Sequence, residues 1–271
     1  MSDTRPSQRA LRAAERALGP WWRATSPRFM GTDRIPGGGP LLFIGNHTLF
    51  GVLDAPLMFM HLWRERGIVL RGLGDHTHFR IPVWRTLLAQ FGVMDGTREN
   101  CARLMRAGEH LLVFPGGGRE VSKRKGEKYK LIWRERLGFA HMAIAYDCPI
   151  LPFAAVGVED MFDIVRDADE LLAGPLGHVA RRLGVRSDVV WPVVRGRRSL
   201  LPRPERLYFH FGDPIQPPPP GDDPHAAARG LRDRVKAAVE AGIEELLQAQ
   251  RDDAGHGARS RTAATDASGW R

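Results

Sequence analysis

Apolar positions along this chain first follow a helical spacing and later form short continuous runs. Near the start, Leu11, Ala14 and Leu18 share one helical face, with arginines opposite them. Gly19-Pro20 is expected to end this helix, and Trp21-Trp22 follow directly. An apolar stripe with arginines opposite and tryptophans beside it is typical of a helix lying in a membrane interface. A surface helix packed on the domain accounts for the same pattern equally well.

From Ile35 onward, apolar runs predict buried strands and the segments between them predict helices. The predicted strands are 41–45, 68–70, 111–114, 150–156 and 207–211. The predicted helices are 53–66, 82–90, 98–106, 138–146, a less regular one around 164–183, and one capped by Asp223 that runs to about Gln250. This alternation is typical of an α/β domain with a largely parallel sheet.

These patterns divide the chain into a basic amphipathic segment (1–28), one domain (29–250) and a tail (251–271). The tail has no Leu, Ile, Val or Phe and is expected to be disordered. No apolar run reaches the ~18 residues of a membrane-spanning helix, and the N-terminal residues lack the apolar core of a secretion signal. Cys101 and Cys148 give no disulfide framework, so a reducing compartment is expected.

The charge is strongly basic, with 40 Lys and Arg against 31 Asp and Glu, a net +9 and a pI near 10.3. The excess lies in 1–28, 119–136 and 195–206. Such a chain attracts polyanions in general, whether nucleic acid, anionic lipid or a phosphorylated cofactor. No nucleic-acid-binding motif accompanies the charge, so nucleic acid is not the expected partner.

The first candidate site, Gly45 to Asp54, follows a predicted buried strand, which is where open α/β sheets place their sites. His47 supplies a base there, and Asp54 supplies a carboxylate able to orient a neutral imidazole. A structural histidine that caps a helix is the alternative.

A glycine block, Phe114-Pro115-Gly116-Gly117-Gly118-Arg119-Glu120, follows another predicted strand. Consecutive glycines let backbone amides approach a ligand oxygen, and Arg119 adds a cation. A flexible loop is the alternative here. Two such motifs at strand ends of one α/β domain favour a single shared cleft.

Three parts of the sequence together resemble motifs of the glycerolipid acyltransferase (lysophospholipid acyltransferase-like) superfamily. They are the Asn46-His47 box with Asp54, the glycine block, and Ile150-Leu151-Pro152-Phe153. The resemblance is closer to its diacylglycerol acyltransferase and phytyl ester synthase-like branch. In that branch the block reads Phe/Tyr-Pro-Gly-Gly-x-Arg-Glu and is followed by a segment like Lys125–Leu131. The similarity extends over roughly 36–215, with motif order and spacing preserved.

The resemblance implies a glycerol-3-phosphate acyltransferase-like α/β fold in a single domain, with a mostly parallel sheet flanked by helices. It implies acyl transfer from acyl-CoA or acyl carrier protein, as co-substrate, to a lipid hydroxyl. His47 would be the general base and Asp54 its support, with no metal and no further cofactor. Substrate contacts would come from Asn46, Arg98, Pro115, Gly116, Gly117, Gly118, Arg119 and Glu120.

The implied partners are a lipid acceptor, acyl-CoA and an anionic membrane surface, and the implied location is peripheral, on the cytoplasmic face of the membrane. A non-catalytic protein of the same fold that binds lipid surfaces or polyanions is the alternative function. Asp75-His76-Thr77-His78 offers too few clustered ligands for a metal site. Cys101 has no histidine placed beside it as a thiol nucleophile requires.

Two departures from the family pattern matter. Six residues separate His47 from Asp54, whereas the wider superfamily has four. On a continuous helix the pair would stand about 10.5 Å apart in rise, so a loop is required, and Gly51 makes one feasible. The glycine block also lacks the Glu-Gly-Thr-Arg form of phosphate-acceptor enzymes, which favours a neutral acceptor.

Overall fold

The apolar runs of the sequence become neighbouring strands of one sheet. The structure, a computed structural model, describes residues 5–74, 92–173, 177, 182, 190–197 and 200–266. Its strands are β1 (Arg28–Met30), β2 (Leu42–Gly45), β3 (Leu70–Gly74), β4 (Met94–Asp95), β5 (His110–Val113), β6 (Ile150–Val156), β7 (Asp163–Arg166), β8 (Val193–Arg195) and β9 (Tyr208–Phe211). Seven of them form a sheet in the order β1-β9-β6-β2-β5-β3-β4, while β7 and β8 form a separate antiparallel pair.

Neighbouring strands of the large sheet are parallel except for β6 and β9, which are antiparallel. The helices are α1 (Gln8–Thr25), α2 (Ala55–Arg66), α3 (Arg98–Arg106), α4 (Gly118–Val121), α5 (Gly138–Ala145), α6 (Ala168–Ala173) and α7 (Pro224–Asp266), with 3₁₀ turns at Thr32–Arg34 and Val158–Asp160. This confirms the predicted α/β fold with a mostly parallel sheet flanked by helices.

The core has two layers because alternate strand residues point to opposite faces of the sheet. Leu42 and Ile44 of β2 belong to the apolar cluster that includes buried residues of α3, α5 and α7. Leu41 and Phe43 belong to the opposite cluster, which includes buried residues of α2. Burial on both faces explains why β2 reads as a continuous apolar run rather than an alternating one.

The local predictions hold where the apolar pattern is strongest. The bounds of α3 and β6 are those expected, and β2 and α5 differ from expectation by one residue at one end. β5 is shifted by one residue at both ends, and the strand predicted at 68–70 is found at Leu70–Gly74. Asp223 caps α7 as predicted, since its Oδ1 accepts hydrogen bonds from the amides of His225 and Ala226 at 3.0 and 2.9 Å. The buried face of α7 contains the four predicted residues, Leu231, Val235, Val239 and Leu246.

The N-terminal helix differs from prediction, because α1 continues through Gly19-Pro20 to Thr25. Tertiary contacts hold this extension in place. The indole Nε1 of Trp21 donates to the carbonyl of Leu53 at 2.8 Å, and Trp22 stacks on Phe29. Together with Leu18, both tryptophans pack against the core, so this end of the helix follows the packed-helix alternative.

Two other expectations are corrected. Residues 164–183 do not start as a helix: Ile164 lies in β7, whose pairing with β8 is a long-range contact, and a helix begins only at Ala168. The last helix continues to Asp266, beyond the predicted end near Gln250. The predicted helix 82–90 and the Asp75–His78 segment lie outside the described residues.

Candidate active site

The loop that carries His47 leaves the carboxyl end of β2, in the middle of the sheet. Its first residue, Asn46, is buried and uses its side-chain amide as a substitute for strand backbone. Asn46 Nδ2 donates to the carbonyl of Ala155 at 2.8 Å, and Oδ1 accepts from the amide of Ala155 at 2.8 Å. The backbone is thereby free to turn away from β6 while the sheet contact continues. Asn46, predicted to bind substrate, thus has a positioning contact in the structure.

The His47 ring lies against the glycine block. It stacks on Phe114, which directly follows β5, with ring centroids 3.9 Å apart and planes 8° from parallel. Because β2 and β5 are parallel neighbours, their carboxyl ends meet, and the two motifs come together as predicted. His47 is half-buried, so the stack fixes the ring while leaving part of it accessible.

The longer spacing between His47 and Asp54 is accommodated by a loop, as the sequence required. Phe50 and Gly51 both have positive φ, 63° and 65°, and the amide of Gly51 donates to the carbonyl of Thr48 at 3.1 Å. Gly51 passes directly over the imidazole: a Cβ at this position would lie 2.1 Å from His47 Cε1. Only glycine satisfies both the backbone conformation and this close approach.

Asp54 caps α2 and is almost completely buried. Its Oδ1 accepts from the amide of Ala55 at 2.8 Å. Burial raises the pKa of Asp54 to about 6, although interactions with the Thr48 hydroxyl and the Ala55 amide oppose the rise. None of the described hydrogen bonds or ion pairs joins this carboxyl to His47, so its support of the base stays a prediction.

The glycine block forms a tight turn into α4. The amide of Gly117 donates to the carbonyl of Phe114 at 3.0 Å, and Arg136 Nη1 donates to the carbonyl of Pro115 at 2.8 Å. A Cβ on Gly116 would lie 2.1 Å from the carboxyl carbon of Glu120. The turn therefore needs glycine for internal packing as well as for any approach of a ligand.

Glu120 joins the two motifs from inside the protein. It is fully buried; its Oε2 accepts the backbone amide of His47 at 2.9 Å, and its Oε1 accepts the amide of Ile132 at 2.9 Å. Burial raises the pKa of Glu120, while Lys123 and the two amides oppose the rise. Glu120 was expected to contact substrate; the structure gives it the contacts of a positioning residue.

Arg119 and Lys123 are also turned inward. Arg119 is 6% exposed and pairs with Glu127, whose Oε2 also accepts the amide of Arg124 at 2.8 Å. Lys123 is 1% exposed and lies 2.7 Å from Glu159 Oε1. The basic run after the glycine block therefore contributes two of its cations to the interior, where buried charges require partners.

Arg98 lies elsewhere. It is exposed at the start of α3 and lines a groove of about 440 Å³ with residues of α5 and the start of α7, among them His141. None of the described contacts connects it to His47, so the substrate role expected for it has no geometric support at this cleft.

Burial raises the pKa of Cys101 to about 11, which is unlike an activated thiol.

The described residues hold no group of three or more His, Cys, Asp or Glu arranged to bind a metal ion. Within the same residues, no helix combines the length and the hydropathy needed to cross a membrane.

The sequence reasoning missed the stacking role of Phe114 and the buried Lys123–Glu159 pair. The sequence showed only that Lys123 lies close to the glycine block. It could not indicate the ion pair, because Glu159 is distant in sequence.

Comparisons with known proteins agree with this architecture. Residues 26–156, which include β2, the His47 loop and the glycine block, match the family model described as Acyltransferase. Phytyl ester synthase 1, chloroplastic, of Arabidopsis thaliana is 29% identical over 252 residues, covering 82% of this chain and 34% of that protein. A human protein named DGAT1/2-independent enzyme synthesizing storage lipids is 30% identical over 219 residues, covering 79% of this chain and 60% of that protein.

The chain thus spans about a third to three fifths of the length of these relatives. Among solved structures, the 1-acyl-sn-glycerophosphate (LPA) acyltransferase PlsC of Thermotoga maritima superposes with a TM-score of 0.53. It is 14% identical, and the match covers 88% of this chain and 79% of that one. This likeness confirms the fold expected from the motifs.

Proposed function

We propose that this chain, whose residues 26–156 match the acyltransferase family model, transfers a fatty acyl group from a thioester donor to a hydroxyl of a glycerolipid or related lipid alcohol. The observation that carries the proposal is the position of His47. Its ring stacks on Phe114 at 3.9 Å and is covered by Gly51, while its backbone is held by Glu120. A fixed imidazole on a half-buried residue beside a glycine turn suits base-assisted acyl transfer.

In the proposed mechanism His47 removes the proton of the acceptor hydroxyl as the oxygen attacks the thioester carbonyl carbon. The resulting tetrahedral intermediate collapses, the carbon–sulfur bond breaks, and the imidazolium returns its proton to the departing thiolate. No acyl-enzyme forms. Base assistance of this kind contributes about 10²–10⁴ in rate.

The developing negative charge on the carbonyl oxygen needs donors close to His47. The amide of Gly117 already donates to Phe114 within the turn. We therefore assign the oxyanion contacts to the neighbouring amides of Gly116 and Gly118. Preorganised backbone amides suit this role because they need no reorganisation as the charge develops.

For the acceptor we propose a neutral lipid alcohol. Arg119, the arginine of the glycine block, is buried and paired with Glu127, so a phosphate could reach it only at the expense of that pair. Arg98 lies away from His47 in the groove beside α5. For the donor we propose acyl-CoA, with acyl carrier protein as the competing thioester, at the cytoplasmic face of a membrane that the protein joins peripherally.

The test uses the purified chain with His47→Ala and His47→Gln, incubated with acyl-CoA or acyl carrier protein thioesters and a panel of diacylglycerols, monoacylglycerols, long-chain alcohols and lysophospholipids. Mass spectrometry of the acylated products should show a loss of about 10²–10⁴ in turnover for both variants. His141→Gln, which changes a histidine outside this cleft, is the control. Full turnover in folded His47→Ala would refute the base assignment, and failure of the unaltered chain to consume any thioester would refute enzymatic function.

A further inference from the structure

The exposed large apolar side chains of the described residues are concentrated near the candidate site. They occur in two places: the His47 loop, and β7–β8 with the residues just before and after β8. They are Val52 (49% exposed), Val165 (45%), Trp191 (54%), Val193 (46%), Leu200 (70%) and Leu201 (64%). We call this set the apolar rim. Isolated exposed apolar residues are ordinary, but a contiguous group marks a binding surface.

Two contacts connect the parts of the apolar rim. The rings of Trp191 and Phe50 lie 5.4 Å apart, which joins the segment before β8 to the His47 loop. At the other end of β8, the amide of Arg197 donates to the carbonyl of Leu201 at 2.8 Å, which folds Leu201 back beside the strand. Phe50 and Val52 flank Gly51, the residue in contact with the His47 ring. The rim therefore borders the proposed cleft.

Exposed arginines stand within the apolar rim. Arg166 pairs with Val193 across the two strands, and Arg195 is two residues from Val193 on the outward side of β8. Arg197 is bonded through its amide to Leu201. Asp163 pairs with Arg195 across the two strands, and its carboxylate is held by both terminal nitrogens of Arg203, at 2.8 and 3.0 Å. The surface consequently combines apolar side chains with a positive charge.

We propose that the apolar rim and these three arginines form the surface by which the protein docks on an anionic lipid bilayer. Apolar side chains enter the boundary between headgroups and acyl chains, and arginines beside them pair with anionic headgroups. The inference rests on the proposed function, because it places the His47 cleft against the source of its lipid acceptor. It assigns docking to the β7–β8 region, whereas the sequence alone had suggested α1, whose Trp21 and Trp22 pack on the core.

The test measures co-sedimentation of the full chain with vesicles of phosphatidylcholine alone or with 30% phosphatidylglycerol. Leu200→Ser with Leu201→Ser should lower partitioning onto both vesicles by at least about tenfold. Arg195→Gln with Arg197→Gln should lower binding to the anionic vesicles by about fivefold per arginine and leave binding to phosphatidylcholine unchanged. These side chains are exposed, so the variants should fold and keep their turnover on monomeric short-chain substrates.

The matched control is Arg12→Gln with Arg16→Gln, which removes two exposed arginines from α1. Loss of binding in that variant, with binding retained in the rim variants, would overturn the proposal in favour of α1. Equal sedimentation of all variants would also overturn it, as would a dimer in light scattering that the leucine changes dissociate. His47→Ala should still bind vesicles fully, so a failure of docking is distinguishable from a failure of catalysis.

Discussion

The His47 loop and the glycine block follow neighbouring parallel strands, yet they treat their polar side chains in opposite ways. The loop leaves His47 half-buried, with its imidazole on a cradle made of Phe114 and Gly51. The block, by contrast, buries both of its charged residues, Arg119 and Glu120. The comparison teaches that charged residues of a motif can serve to hold another motif in place. Changes in the block should therefore act mainly on stability, and changes at His47 mainly on rate.

The strongest test of this contrast is Glu120→Ala. It leaves the buried amides of His47 and Ile132 without their acceptor, which should lower the free energy of unfolding by about 3 kcal/mol. Glu120→Gln keeps one acceptor oxygen and should lose less. Urea denaturation followed by tryptophan fluorescence measures both. His47→Gln should be close to neutral in the same assay, and equal stabilities of all three variants would remove the contrast.

A smaller effect is expected from Gly51→Ala. A left-handed alanine costs about 1 kcal/mol, and its Cβ would also displace the His47 ring. Misplacement of a catalytic group by about 1 Å can reduce turnover by about 10²-fold. Gly67→Ala is the matched control, because Gly67 has φ 64° with no atom near its missing Cβ. Gly51→Ala should lose more stability than Gly67→Ala, because only its Cβ meets the His47 ring, and only Gly51→Ala should lose turnover. Equal turnover in the two variants would contradict the cradle.

Asp54→Asn tests whether a buried carboxylate at the end of the loop affects stability or rate. In the native chain, the folded-state pKa of Asp54 is about 6, above the ordinary value of 3.8. The folded protein therefore favours the protonated acid more than the unfolded chain does. The native chain should lose stability through Asp54 as the pH rises from about 4 to 6, by up to about 3 kcal/mol. Asparagine caps a helix without this penalty. The variant should gain melting temperature relative to the native chain over that pH range and keep the advantage above it.

Turnover of Asp54→Asn then decides between two roles for this residue. If Asp54 only caps α2, the variant should retain the native rate on the same acyl donor and acceptor. A drop of tenfold or more at unchanged fold and with intact vesicle binding would show that the carboxylate supports His47 through the loop. A flat difference in stability between pH 4 and pH 7 would contradict the raised pKa.

Local patterns predicted the centre of this protein well, because β2, β5 and β6 are buried on both faces and read as unbroken apolar runs. They predicted the meeting of His47 with the glycine block through the rule that parallel strands align their ends. Features that depend on distant partners were missed. β1 is three residues long and pairs with β9, almost 180 residues later. Pro20 lies inside α1 because Trp21 and Trp22 find partners on the domain.

Side-chain roles, too, were predictable only where they do not depend on distant partners. The motif pattern identified which residues surround the cleft, but it could not tell that Glu120 faces two backbone amides or that Arg119 pairs with Glu127. Those outcomes depend on the path of residues 122–132, which carries no apolar periodicity. Arg98 was assigned only through the family resemblance, and it lines a groove with residues of α5.

The Asn46 amide has a consequence for how the site opens. Because it completes both hydrogen bonds of Ala155, the root of the catalytic loop is fastened to the innermost strands. Deuterium uptake at Ala155 should accordingly be as slow as in the middle of β6. The base of the catalytic loop should then stay closed until the sheet itself unfolds.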